Sequence, residues 1–149
     1  MRLVLYQPEI PQNAGTLLRV AACFGISVDM IEPFGFIFSE RRMRRAGMDY
    51  IDSVNLSLHV SWKAFQAQQG KSRLILLTPT APMSYVDFQF EKNDVLMVGR
   101  ESDGVPEDVR RDCTHQISIP MRAGFRSLNV AVAASMVLGE ALRQTGFEE

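Results

Sequence analysis

Three loops and a helix carry the residues of this chain that could do chemistry. Gly99-Arg100-Glu101-Ser102-Asp103-Gly104-Val105-Pro106 sets a carboxylate between two glycines, directly after the apolar run Val95-Leu96-Met97-Val98. Glycines there permit a tight turn or close backbone approach to a ligand. Pro8-Glu9-Ile10-Pro11-Gln12-Asn13-Ala14-Gly15 leads into a helical pattern whose sole charge between Ala14 and Phe24 is Arg19. Among Leu17, Leu18, Val20 and Ala21 a guanidinium needs a partner. An internal acid would serve, and so would a phosphate or a ribose hydroxyl, which suit its planar fork. Ile119-Pro120-Met121 and Arg126-Ser127-Leu128-Asn129 precede a last helix. Ser127 is placed to cap it, and Asn129 needs hydrogen-bond partners.

Other chemistries find no support. The glycine spacing is neither a dinucleotide fingerprint nor a P-loop. Cys23, Cys113, His59 and His115 have no metal-ligand spacing, so no metal is expected. Arg41-Arg42-Met43-Arg44-Arg45 concentrates positive potential in a chain of net charge −1, which suits a phosphate backbone.

These residues must be positioned by a scaffold. Leu3–Tyr6, Ser27–Ile31, Val54–His59, Arg73–Thr78, Asp94–Gly99 and Gln116–Ile119 read as strands. Helices are expected over Asn13–Phe24 (Asn13 as cap, Gly25 as stop), from Ser39 to Gly47, over Trp62–Gln69 capped by Ser61, from Pro106 to Asp112, and from Ser127 to about Gln144. Alternation of strand and helix predicts one α/β domain, residues 1–149, with a mainly parallel sheet and helices on both faces. Ligands of such sheets lie at the carboxyl ends of the strands. That places Thr78–Met83, Gly99–Val105 and Pro120–Ser127 around a site.

From Leu128 to Leu142 the polar residues are Asn129, Ser135 and Glu140. A helix so apolar must be covered on most sides. It is too short to cross a bilayer, and a second copy of the chain is the simplest cover. No signal-peptide or membrane-spanning pattern is read, so the cytoplasm is the expected location.

In this order, PEIPQNAG with Arg19, GRESDGVP, and IPM with RSLN and Glu140 resemble the three motifs of the SPOUT RNA methyltransferases. IEPFGF (Ile31–Phe36) and RRMRRAGMDY (Arg41–Tyr50) are similar to the small branch that methylates the ribose of the tRNA wobble nucleotide, cytidine or uridine. The resemblance spans nearly the whole chain. It implies a deep trefoil knot near the C-terminus and S-adenosylmethionine bound there through backbone at Leu77, Gly99, Ile119 and Ser127, leaving S-adenosylhomocysteine as product. It further implies a homodimer through the last helix, tRNA as partner, and Asn13, Arg19, Glu101 and Asn129 at the catalytic end. Arg19 is assigned to orienting the 2′-hydroxyl and its phosphate, because a guanidinium stays protonated and makes a poor base. Arg41, Arg42, Arg44 and Arg45 are assigned to RNA. The branch often continues its third motif as NLSN, where this chain has Asn129-Val130-Ala131-Val132, partly like relatives that methylate a D-loop guanosine. An aromatic residue often precedes the motif-three glutamate, where this chain has Gly139. The alternatives are therefore another RNA ribose, such as that guanosine, or a non-catalytic RNA-binding dimer.

Overall fold

A computed structural model describes residues 1–45 and 50–147, without the side chains of Glu40 and Arg45. Among the described residues, six strands form one parallel sheet: β1 Arg2–Tyr6, β2 Ser27–Ile31, β3 Leu56–His59, β4 Leu74–Leu77, β5 Val95–Val98 and β6 His115–Ile117. Their order is β3-β2-β1-β5-β4-β6. The chain winds outward from β1 to β3, crosses to the other half for β4, and returns to insert β5 beside β1. Leu5 of β1 pairs with Val98 of β5, and Val98 pairs with Leu77 of β4. The carboxyl ends of these three strands therefore lie side by side.

The central strands are nearly continuous apolar runs because the sheet is covered on both faces. Leu3, Leu5, Leu96 and Val98 join one core, while Val4, Tyr6, Val95 and Met97 join the other. The first core takes α1 (Pro11–Phe24) and α5 (Val130–Thr145); the second takes Phe65 of α3 (Trp62–Gln69) and Val109 of α4 (Glu107–Asp112). Two short elements, α2 (Glu40–Arg45) and the 3₁₀ turn Ile51–Ser53, join β2 to β3; buried Met43 seats α2 on the first core. No helix among the described residues is long and apolar enough to cross a membrane.

Two expected caps are corrected. Helix α1 starts at Pro11, so Asn13 lies inside its first turn and its amide is used elsewhere. Helix α5 is capped by Asn129, whose Oδ1 accepts from the N–H groups of Ala131 and Val132, and not by Ser127. The expected caps at Gly25 and Ser61 are present: Gly25 adopts φ 66°, and Ser61 Oγ accepts from Ala64 N–H. The expected stop at Gly47 falls outside the described residues.

Helix α5 buries Ala131, Ala134, Val137, Leu138, Ala141 and Leu142 within its own chain. Its outer side carries Val132 and Met136, 53% and 40% exposed. Its own chain covers one side of the helix, and this outer stripe is the apolar part left uncovered. Val137 and Leu138 belong to the core, so substitutions there report on folding before assembly.

Candidate active site

Four loops meet at the carboxyl ends of β1, β5, β4 and β6. They enclose a cleft of about 700 Å³, within the range of small-ligand and cofactor sites. Leu77, Gly99, Ile119, Ser127, Asn13, Glu101 and Asn129 all line it. Six residues from three separate motifs, together with Leu77 at the end of β4, thus meet in one cavity. Arg19 does not line it. Its side chain is exposed on α1, with the guanidinium 4.8 Å from the centre of the Tyr50 ring.

The Gly99–Val105 loop is closed by paired backbone hydrogen bonds between Arg100 and Gly104, both 3.0 Å. Gly104 takes φ +69°, a conformation that favours glycine. Gly99 is required for a different reason. A Cβ there would stand 2.6 Å from the Gly104 carbonyl carbon and 2.7 Å from its Cα. Arg100 is held by Asp103 at 2.9 Å and by the Gly104 carbonyl at 3.3 Å.

This loop is latched to the one after β1 by two carboxylates that cross over. Glu101 accepts from the N–H groups of Glu9 (2.8 Å) and Ile10 (3.2 Å) and from Asn13 Nδ2 (3.2 Å). Glu9 in turn accepts from the N–H and hydroxyl of Ser102, at 2.8 and 2.9 Å. Asn129 Nδ2 donates to Asn13 Oδ1 at 2.9 Å. Glu101, Asn13 and Asn129 therefore form one chain of hydrogen bonds from the β5 loop through α1 to the start of α5. Glu101 is spent on donors, so in this arrangement it orients Asn13 and the backbone around it. The sequence reading missed Glu9, although a carboxylate between two prolines was its signal.

Several other groups are removed from acid–base work. Burial pushes the Cys113 thiol up to about 12, so it stays protonated at neutral pH. Burial also raises the Tyr6 phenol, against a smaller opposing effect of Arg100. His59, isolated in the sequence, is buried and hydrogen-bonded to Asp29 at 2.7 Å, which also faces Arg2 at 3.4 Å. That cluster lies beneath α3, apart from the cleft. Among the described residues, no group of three or more His, Cys, Asp or Glu could hold a metal ion.

Arg41, Arg42 and Arg44 stand exposed on α2 and do not line the cleft; the Arg45 side chain is outside the described residues. Arg44 pairs with Asp52. The exposed loop before α5 adds Arg122, Phe125 and Arg126, and Arg126 reaches the cleft lining.

A parallel sheet with a backbone-rich cleft at its switch point, lined by amides and by two carboxylates, Glu101 and Asp103, that are already paired, has the form of an α/β enzyme whose loops could take a sizeable organic ligand. The chain belongs to the SpoU rRNA methylase family, whose model matches residues 1–139. It is 57% identical over 146 residues to a tRNA (cytidine(34)-2′-O)-methyltransferase of Beijerinckia indica subsp. indica, covering 97% of this chain and 91% of that one. A solved structure concerned with 2-OH methylation of C/U34 on tRNA superposes with TM-score 0.89 at 42% identity, over 96% of this chain and 94% of the other. The fold is also that of the SpoU methyltransferase AviRb from Streptomyces viridochromogenes in complex with AdoMet, at TM-score 0.82 and 24% identity, over 97% of this chain and 60% of that one.

Proposed function

We propose that this chain, residues 1–149 acting as one domain, transfers a methyl group from S-adenosylmethionine to the ribose 2′-hydroxyl of nucleotide 34 of tRNA, a cytidine or uridine. The observation that carries the reading is the convergence of the three motifs on one cleft, in a chain so similar over its length to a tRNA (cytidine(34)-2′-O)-methyltransferase. The cleft fits the cofactor: its volume suffices, and the bare Gly99 lets the loop close tightly on the Gly104 backbone, 2.6 Å from where a Cβ would stand, so that loop backbone borders the cleft. Leu77, Gly99, Ile119 and Ser127 would hold it, in the part of the chain that the resemblance makes a trefoil knot. When bound, it supplies an electrophilic methyl on a sulfonium that leaves as a neutral thioether, so the leaving group needs no acid.

The task left to the protein is to align the ribose oxygen and accommodate its developing charge. Glu101 and Asn129 fix the Asn13 amide, and Arg19 is the donor assigned to the 2′-oxygen and its phosphate. Because Arg19 lies outside the cleft of its own chain, it acts on the cleft of a second copy, seated through the outer stripe of α5 beside α1. The D-loop guanosine alternative rests on the Asn129-Val130-Ala131-Val132 departure alone. Purified protein should methylate ribose, and not base, in tRNA from cells lacking it, and EDTA should not abolish transfer once RNA folding is controlled. Methyl found on a base, or activity lost to EDTA and restored by a divalent ion, would contradict the reading.

The dimer makes its own prediction. Glutamate at Val132 or Met136 puts a charge into the proposed interface, where it lacks a partner. Sedimentation should then show a monomer that melts close to wild type. If wild type is itself a monomer, or both variants remain dimers, α5 is not the interface.

Neutralising Arg41, Arg42, Arg44 and Arg45 together should weaken tRNA binding and flatten its salt dependence, by roughly one unit of slope for each phosphate left without its arginine. Arg41 and Arg42 should dominate, since Arg44 already pairs with Asp52. Cofactor affinity should stay at the wild-type value. An unchanged salt slope would make the cluster an ordinary solvated face.

A further inference from the structure

One cation in the cleft is unused by the chemistry above. Arg110 lies in the last turn of α4, and its side chain reaches back to the loop after β4. Its Nη2 donates to Thr80 Oγ1 at 3.1 Å and to Thr78 Oγ1 at 3.4 Å, and the two hydroxyls lie 3.2 Å apart. All three residues line the cleft. Thr78 is buried, directly after Leu77, and Arg110 is half-buried.

The surroundings make this arrangement unusual. Arg100, also in the cleft, is paired with Asp103, and Glu101 is occupied by backbone donors. Arg111, the neighbour of Arg110, faces Glu107 at 3.5 Å. Arg110 faces two neutral hydroxyls and no carboxylate among the described residues. A guanidinium has five N–H donors, and only one nitrogen is engaged here. The remaining edge of the fork matches a planar anion, and carboxylate is the anion it binds in two-point fashion.

We propose that Arg110, Thr78 and Thr80 form a carboxylate-binding corner of the cleft, which takes the amino-acid end of the sulfonium cofactor. The inference rests on the cofactor reading above. A cofactor carboxylate fits better than an RNA phosphate for two reasons. Buried Thr78 is continuous with the backbone cradle at Leu77, and the exposed arginines of α2 and Arg126 already offer open positive surface for phosphate. The corner would distinguish the full cofactor from adenosyl thioethers that lack the amino acid. It would also fix the long axis of the ligand and so the position of the sulfur.

The test compares two ligands on each protein by calorimetry. S-adenosylhomocysteine carries the carboxylate; 5′-methylthioadenosine shares the adenosyl thioether and lacks it. Arg110→Gln should weaken the first about 10- to 100-fold and the second by less than about 2-fold, as expected for loss of a charge-assisted pair. Arg110→Lys should recover part of the loss, and Thr80→Val should weaken the first ligand selectively but less. Equal loss for both ligands would make Arg110 a structural residue and overturn the proposal. So would no loss for either, including the case where Arg110→Gln weakens tRNA binding instead and the anion is a phosphate. Wild-type protein that binds neither ligand would overturn the cofactor reading itself, and that result is visible without any variant.

Discussion

Gly99→Ala should abolish detectable S-adenosylmethionine binding, a loss on the order of 10²-fold or more, while leaving most of the fold intact. The added Cβ meets backbone, 2.6 Å from the carbonyl carbon and 2.7 Å from the Cα of Gly104. Backbone cannot rotate aside as a flexible side chain can. The loop must open, and the paired hydrogen bonds between Arg100 and Gly104 must stretch or break. Opening displaces Glu101 as well, and with it the N–H groups of Glu9 and Ile10 that it accepts from. The cleft loses its shape at the point where two motifs are latched together. The damage stays local because β5 before it is buried in both cores and is fixed by β1 and β4. Calorimetry and thermal melting read this together. A variant that folds and binds the cofactor like wild type would show that the ligand does not contact this loop.

Arg19→Ala should have the opposite signature. Cofactor affinity should be unchanged and single-turnover methylation should fall roughly 10²–10³-fold, as on loss of one donor to developing charge. Lysine should rescue poorly, since it lacks the planar fork. The structural cost should be small: on its own chain Arg19 makes an exposed stack on Tyr50, of the kind that contributes about 0.5–1 kcal/mol. The dimer adds a sharper expectation. If Arg19 serves the cleft of the partner, a mixed dimer of Arg19→Ala and Gly99→Ala chains contains one site with both residues intact. Mixing two inactive proteins should then restore activity, to roughly a quarter of wild type after statistical exchange of subunits. If Arg19 acted within its own chain, every site in the mixture would carry a defect and activity would stay absent. An Arg19→Ala protein that methylates at the wild-type rate would remove Arg19 from the reaction.

The parts of the fold that were legible in the sequence are those fixed locally. Val95-Leu96-Met97-Val98 reads as a buried strand because a parallel strand covered on both faces needs no alternation. Ser61 and Gly25 mark helix ends because each satisfies backbone within a few residues. Asn13 and Ser127 misled the reading for the converse reason. The side chain of Asn13 answers to Glu101 and Asn129, distant along the chain by 88 and 116 residues. Ser127 yields the cap to Asn129 two residues later, a choice that local preference cannot make between two good capping residues.

The same division runs through the site. Motif glycines were readable as places of close approach, and the structure adds which backbone they approach. Asn13, Glu101 and Asn129 were each readable as polar residues needing partners, and the structure makes them partners of one another. Glu9 and Arg110 were not picked out, because a single carboxylate in a loop and an arginine pair on a short charged helix look like surface. Their meaning lies in pairings across strands, Glu9 with Ser102 and Arg110 with Thr78 and Thr80. The placement of Arg19 also depended on three dimensions. A lone charge on an apolar helix pointed to a partner, and the fold turns that side chain away from its own cleft.

The central claim is ribose methylation at one nucleotide, and mapping that nucleotide tests it most directly. tRNA from cells lacking this protein should be digested to short oligonucleotides and analysed by mass spectrometry, before and after incubation with purified protein and S-adenosylmethionine. The expected result is that a 2′-O-methyl group is missing at nucleotide 34 of some cytidine- or uridine-bearing tRNAs and returns with the purified protein, while other ribose methyl groups are unchanged. An unaltered nucleotide 34, together with a methyl group that disappears and returns elsewhere, such as on a D-loop guanosine, would contradict it.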